Sequence, residues 1–304
     1  MSTNGARPAA HVLGGCGTAL ATPFTPDGRV DEAALRAFVE WQVGQGVQFV
    51  VPCGSTGEAA TLASDEQRRV VELTVEQVNG RIPVVAGAGS NDTRRAIARS
   101  LEMRAAGASH LLHVTPMYNK PPQRALLAHF RAIADACPLP IVVYNVPGRT
   151  AVNLEARTAL ALAEDPRFVA VKEASGNLAQ IAQLLRERPP GFAVLSGDDG
   201  LTLPVMALGG EGVVSVVSNA VPGLVAALCA AMARGDLPAA RALDARLAPV
   251  VEAAFLESNP IPVKAMLARQ GHMADVLRLP LVPLADAHRD AVRLALQGAG
   301  ALGD

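Results

Sequence analysis

Three observations on the 304-residue sequence predict an α/β fold, a closed (β/α)8 TIM barrel with a C-terminal helical extension. Eight short β-branched runs recur at about 28–30 residues, each followed by a stretch of helical period. The runs are apolar on both faces, as in a parallel sheet covered by helices. No G-x-G-x-x-G follows the first run, and GAGSND (87–92) lacks the third glycine. A doubly wound dinucleotide sheet is therefore the weaker alternative.

In chain order the expected strands are CGTALAT (16–22), QFVVPC (48–53), PVVAGAG (83–89), HLLHVT (110–115), IVVYNV (141–146), FVAVKEA (168–174), FAVLSG (192–197) and GVVSVVS (212–218). Helical stretches such as DEAALRAFVEWQVGQG and NDTRRAIARSLEMRAAG lie between them. Asp31, Ser64 and Asn91 stand where helix caps belong, and Gly46, Gly80 and Gly107 where the same helices stop. After about residue 235 only helical period remains, in LPAARALDARLAPVVEAAFLE, PVKAMLARQ and LADAHRDAVRLALQ. The expected division is a flexible lead over 1–15, the barrel over 16–235 and the helical extension over 236–304.

Composition narrows the function. Net charge is −1, with no basic stripe for nucleic acid or an anionic membrane. No apolar run reaches the roughly 18–20 residues of a spanning helix, and MSTNGARPAAHVLGG has no secretory apolar core. The four cysteines, Cys16, Cys53, Cys137 and Cys229, form no C-x-x-C pair, which points to buried thiols and a cytoplasmic location. The histidines do not form a metal set. His11, His129, His272 and His288 are scattered, and His110 and His113 are three apart on a strand and so face opposite ways. Asp198 and Asp199 suit backbone N–H groups better than a hard cation, so no metal is expected.

A barrel carries its chemistry at the carboxyl ends of its strands. Polar residues gather there: GSTGE (54–58), TPMYNKPP (115–122), YNVPGRT (144–150), Lys172 with Glu173, and SGDD (196–199). Both tyrosines of the chain, Tyr118 and Tyr144, fall at these ends. So does Lys172, one of only three lysines among 27 basic residues. A lysine at an apolar mouth is partly desolvated, which lowers its pKa and frees an amine able to form a Schiff base. An arginine stays protonated and cannot do this. The plainer role for Lys172 is an ion pair with a neighbouring carboxylate. Tyr144, one strand away, can move protons; Ser55 and Thr56 offer hydroxyls beside a turn whose backbone amides can hold a carboxylate; Arg149 can clamp a second carboxylate.

These stretches resemble the dihydrodipicolinate synthase / N-acetylneuraminate lyase family of class I aldolases, from about Gly15 through NPIPVK (259–264) and beyond. The resemblance implies a pyruvate imine on Lys172, proton transfer through Tyr144, and a Ser55–Thr56 pair that holds the pyruvate carboxylate and links the tyrosines. It also implies that Tyr118 is contributed by a neighbouring subunit, in a dimer at least and a homotetramer by family habit. Gly197 and Val216 match positions whose backbone lies against the bound pyruvate. No cofactor is implied, since the lysine supplies the electron sink. Gly148-Arg149-Thr150 and KEASGN look like the synthase branch, in which this arginine binds the carboxylate of aspartate 4-semialdehyde. Ser55 stands where that branch commonly has threonine; it keeps the hydroxyl and loses the β-methyl. Other pyruvate aldolases of the family (neuraminate, 2-keto-3-deoxy-sugar acid or hydroxyoxoglutarate lyases) and a non-catalytic binding protein are the alternatives. Where lysine-inhibited relatives carry a histidine, a glutamate and a tyrosine at their effector site, this chain has Ser64, Arg95 and Met117. Arg95 would repel the lysine ammonium, so insensitivity to lysine is expected.

Overall fold

The computed structural model describes residues 13–302, so most of the expected lead lies outside the described residues. Eight strands are present: β1 (Gly15–Ala19), β2 (Phe49–Val51), β3 (Val85–Gly87), β4 (His110–Val114), β5 (Ile141–Asn145), β6 (Phe168–Glu173), β7 (Ala193–Ser196) and β8 (Gly212–Ser215). They pair in parallel in the order β2-β1-β8-β7-β6-β5-β4-β3. The seam between β2 and β3 is spanned by the Val50–Val84 bridge, with Val50 N donating to Pro83 O at 3.1 Å and Gly87 N to Pro52 O at 2.9 Å. This is the TIM barrel that the spacing of apolar runs predicts.

The ladders are shorter than the apolar runs. Thr22 lies beyond β1, and Cys53 beyond β2 turns to φ 57°. Apolar residues continue past the ladders because the mouth loops are buried too, as Leu20, Ala21 and Cys53 are. Side chains inside the barrel include Phe49, Val51, Val85, Leu112, Val142, Ala170, Leu195 and Val214, with Leu13 in the same cluster. Outward-facing residues such as Val143, Val171 and Val194 meet the helical layer.

Helix starts follow the expected chemistry with one-residue shifts. Asp31 caps the helix Glu32–Gly44, accepting from Ala34 N at 3.0 Å. Ser64 is not a cap but the first helical residue of Ser64–Val78. The cap is Ala63, whose N–H is taken by Glu66 Oε2 at 2.9 Å. Alanine offers no acceptor, so only the glutamate half of a capping box exists there. Asp92, not Asn91, caps Thr93–Ala105 through Arg94 N at 2.9 Å, placing an anion at the positive end of the helix.

One irregularity positions the site. Between Ile141 and Val142 the β5–β6 register shifts, so that Ile141 faces Phe168 while Tyr144 faces Lys172. A regular ladder from the first pair would set Tyr144 beside Val171. The extra residue in β6 therefore brings the phenol and the amine onto one inward face.

Beyond β8, the helix Pro222–Ala233 packs against β1 and against the first of three further helices, Leu237–Ala254, Ile261–Arg269 and Asp286–Gly298. Among the described residues no helix is long and apolar enough to cross a membrane, and no group of three or more His, Cys, Asp or Glu is placed to hold a metal. His113 faces the helical layer, hydrogen-bonded to Ser100 Oγ at 3.1 Å, and His129 Nδ1 meets Thr93 Oγ1 at 2.9 Å.

Candidate active site

Lys172 is 5% exposed and points into the barrel mouth. Its Nζ lies 4.2 Å from the centroid of the Tyr144 ring. The adjacent carboxylate, Glu173, is on the opposite face of β6. There it accepts from Asn145 Nδ2 at 3.2 and 3.1 Å, Gln180 Nε2 at 3.1 Å and Ser175 N at 2.7 Å. Among the described residues no carboxylate comes within ion-pair distance of Lys172 Nζ. Burial takes its pKa from 10.5 down to about 8; the more distant Asp199 opposes this and Arg149 adds to it. The result is an amine partly neutral near pH 7.

Tyr144, also buried, is pushed up to about 12 by desolvation, with Arg149 opposing and Asp198 reinforcing. Its phenol is thus protonated at neutral pH and can donate and accept a proton in concert. Gly197, at the end of β7, leaves the space beside the lysine open. A Cβ there would sit 2.8 Å from Ala174 Cβ and 3.0 Å from Lys172 Cγ. Val216 follows β8; its N–H donates to Asp199 Oδ2 at 2.8 Å, and Val217 N to the same oxygen at 3.2 Å. The adjacent acids Asp198 and Asp199 thus bond backbone N–H groups, Asp198 through Gly200 N at 3.0 Å.

The GSTGE turn separates its two hydroxyl residues. Thr56 is buried, whereas Ser55 is exposed on the rim. Gly57 N and Glu58 N bond back to Gly54 O and Ser55 O at 3.1 and 3.2 Å. Those two amides are committed within the turn, which leaves the amides of Gly54, Ser55 and Thr56 for an anion, a smaller nest than the sequence suggests. Tyr118 is 88% exposed at φ 73° and makes no ring contact with Tyr144 among the described residues, so this chain does not bring its two tyrosines together.

Arg149 is not in a loose loop. It sits in the four-residue helical turn Pro147–Thr150, and its Nη2 donates to Asn259 O at 3.1 Å. A cavity of about 720 Å³ lies beside it, lined by Gly148, Phe255, Leu256, Glu257, Ser258 and Asn259. Apart from Gly148, these lining residues come from a distant part of the chain, and Asn259 lies 110 positions from Arg149.

Sequence reasoning missed this C-terminal contribution. Asn259 Nδ2 donates to Thr56 Oγ1 at 3.0 Å. Lys264 Nζ meets Glu58 Oε1 at 2.7 Å and Thr22 O at 2.9 Å, while Arg278 N donates to Glu58 Oε2 at 3.1 Å. The signal available was the rarity argument already applied to Lys172, since Lys264 is another of the three lysines.

Fold and mouth together define the class, a (β/α)8-barrel lyase of the class I aldolase type. Residues 12–299 match the model of the dihydrodipicolinate synthetase family, and the chain belongs to that family. It is 50% identical over 289 residues to the 4-hydroxy-tetrahydrodipicolinate synthase of Nitratidesulfovibrio vulgaris, covering 95% of this chain and 99% of the relative. It is 49% identical to the enzyme of that name from Koribacter versatilis, over 95% and 97% of the two chains. Among solved structures it is similar to the chloride-inhibited dihydrodipicolinate synthase of Acinetobacter baumannii complexed with pyruvate. The TM-score is 0.94 at 41% identity, over 95% of this chain and 100% of that one.

Proposed function

We propose that the protein condenses pyruvate with L-aspartate 4-semialdehyde, the reaction of 4-hydroxy-tetrahydrodipicolinate synthase, in the cytoplasm. The observation that carries this reading is Lys172: buried, without a contacting acid among the described residues, and 4.2 Å from the Tyr144 ring centroid. The neutral amine adds to the keto carbon of pyruvate, the carbinolamine loses water, and the imine loses a methyl proton to become the enamine. Tyr144 passes the protons, with the hydroxyls of Thr56 and Ser55 and the Tyr118 of a neighbouring copy as its partners. The pyruvate carboxylate rests on the free amides and hydroxyls of the GSTGE turn, and Gly197 and Val216 leave room for the bound keto acid. The enamine carbon attacks the aldehyde, whose distal carboxylate pairs with Arg149. The substrate's own amine then displaces Lys172, closing the ring and freeing the enzyme.

The exposure of Tyr118 supports an assembly in which it reaches another copy, a homotetramer built as a dimer of dimers; sedimentation of the purified protein tests this. At the expected effector position, Ser64 is exposed, Met117 is 38% exposed, and Arg95 stands in solvent 3.9 Å from Asp92. Millimolar lysine is accordingly expected to leave turnover unchanged, and loss of most activity would sink that part. The central test is a substrate panel with borohydride trapping. A pyruvate adduct on Lys172 and turnover only with aspartate semialdehyde support the reading. Pyruvate release from sugar acids would assign another aldolase of the family, and no adduct at all a non-catalytic protein.

A further inference from the structure

We propose that Asn259 is a positioning residue that holds Thr56 with its hydroxyl proton turned toward the bound keto acid, so that the segment beyond the barrel sets how well pyruvate is captured. This rests on the reading of Lys172 as the amine that captures pyruvate. Asn259 follows the helix Leu237–Ala254 and is 5% exposed, and Thr56 is 2% exposed. The Asn259 amide donates to Thr56 Oγ1 at 3.0 Å. A threonine hydroxyl has one proton and two lone pairs. With a lone pair engaged by the amide, the proton remains to be given away, and among the described residues no acceptor takes it. A buried donor without an acceptor is unfavourable until a ligand supplies one, and the carboxylate of a 2-keto acid does so.

The same residue reaches the second substrate region by a different atom. Its backbone carbonyl, not its side chain, accepts from Arg149 Nη2 at 3.1 Å. Side-chain and backbone contributions are therefore separable by mutation. Its side-chain Oδ1 is buried and has no partner among the described residues, so the amide is not held in place there by a second strong bond and the Thr56 contact is the one that defines its orientation. Glu58, two residues after Thr56, is held independently by Lys264 and by Arg278 N, so the turn keeps its shape when the amide is removed.

The test is borohydride trapping of pyruvate and steady-state kinetics on the full chain, for wild type, Asn259→Ala, Thr56→Val and the double variant. Asn259→Ala is expected to raise the pyruvate concentration for half-maximal trapping about tenfold, with KM for the aldehyde changed less than about twofold. In the Thr56→Val background the same substitution should add nothing, because its effect passes through that hydroxyl. Asn259→Asp, nearly isosteric and able only to accept, is expected to lose pyruvate capture as alanine does, and it carries the test should the alanine variant not fold. Wild-type capture by both variants, or effects that multiply in the double variant, would overturn the proposal. Absence of an adduct in wild type would instead remove the functional reading and this inference with it.

Discussion

Two of the three lysines are buried inside the same protein, and they have opposite surroundings. Lys264 is 0% exposed and meets Glu58 at 2.7 Å, Thr22 O at 2.9 Å and the Phe24 ring at 4.2 Å. Burial draws its pKa downward, and Glu58 draws it back. Lys172 has comparable burial and an aromatic ring at the same distance, but its neighbouring acid faces away. Burial alone therefore does not make a lysine reactive. What distinguishes the two is whether an anion has been placed against the ammonium. One lysine joins the C-terminal helices to the mouth; the other keeps a lone pair available.

Exchanging their features sharpens the contrast. The largest expected effect is Lys172→Ala, which should reduce imine trapping to background; near-normal turnover would end the mechanism. Next is Tyr144→Phe, expected to slow turnover by about 10²–10⁴-fold while far-UV and near-UV circular dichroism stay native, since in the proposed mechanism the phenol rather than the ring moves the protons. Lys264→Met leaves Glu58 buried without its cation and should destabilise by about 3–5 kcal/mol in urea unfolding. Adding Glu58→Gln should recover part of that loss, and no recovery would show that the pair is not coupled.

Lys172→Met should do the reverse of Lys264→Met. A pKa of about 8 against 10.5 makes the buried ammonium about 3 kcal/mol less favourable than in water at roughly 1.4 kcal/mol per pH unit. Between those values the unfolded chain holds a proton that the native one has released, so this lysine makes stability rise with pH there. Its penalty is full below about 8 and gone above 10.5. Replacement by methionine is expected to stabilise by about 1–3 kcal/mol at pH 7 and by little at pH 10.5, measured by unfolding at both. The smallest effect is on rate: imine formation should climb about tenfold per pH unit up to near 8 and then level, as the neutral fraction grows.

Much of the site was legible because its residues are rare. Lys172 and Tyr144 stand out by type and by lying at strand ends, Arg149 only by its place after the fifth strand, and the structure places Lys172 and Tyr144 side by side. The different exposure of Ser55 and Thr56 was not legible, because adjacent residues in a tight turn have no fixed periodicity. Nor was the partner of Arg149, which lies 110 residues away. Ser64 and Asn91 looked like caps by type, but Ala63 and Asp92 occupy those positions, where Glu66 accepts from Ala63 N and Asp92 from Arg94 N.

By itself, the order of residues determined the eight strand–helix units and the rarity of the lysine at one of their ends, since both are patterns of polarity along a line. Tertiary structure alone decided which carboxylate meets which lysine. A one-residue bulge sets Tyr144 against Lys172, strand alternation turns Glu173 away, and a chain excursion of more than 200 residues returns Lys264 to Glu58. The physical reason is that the free energy of a buried charge depends on contacts within a few ångströms, and such contacts here are made by residues far apart in the chain.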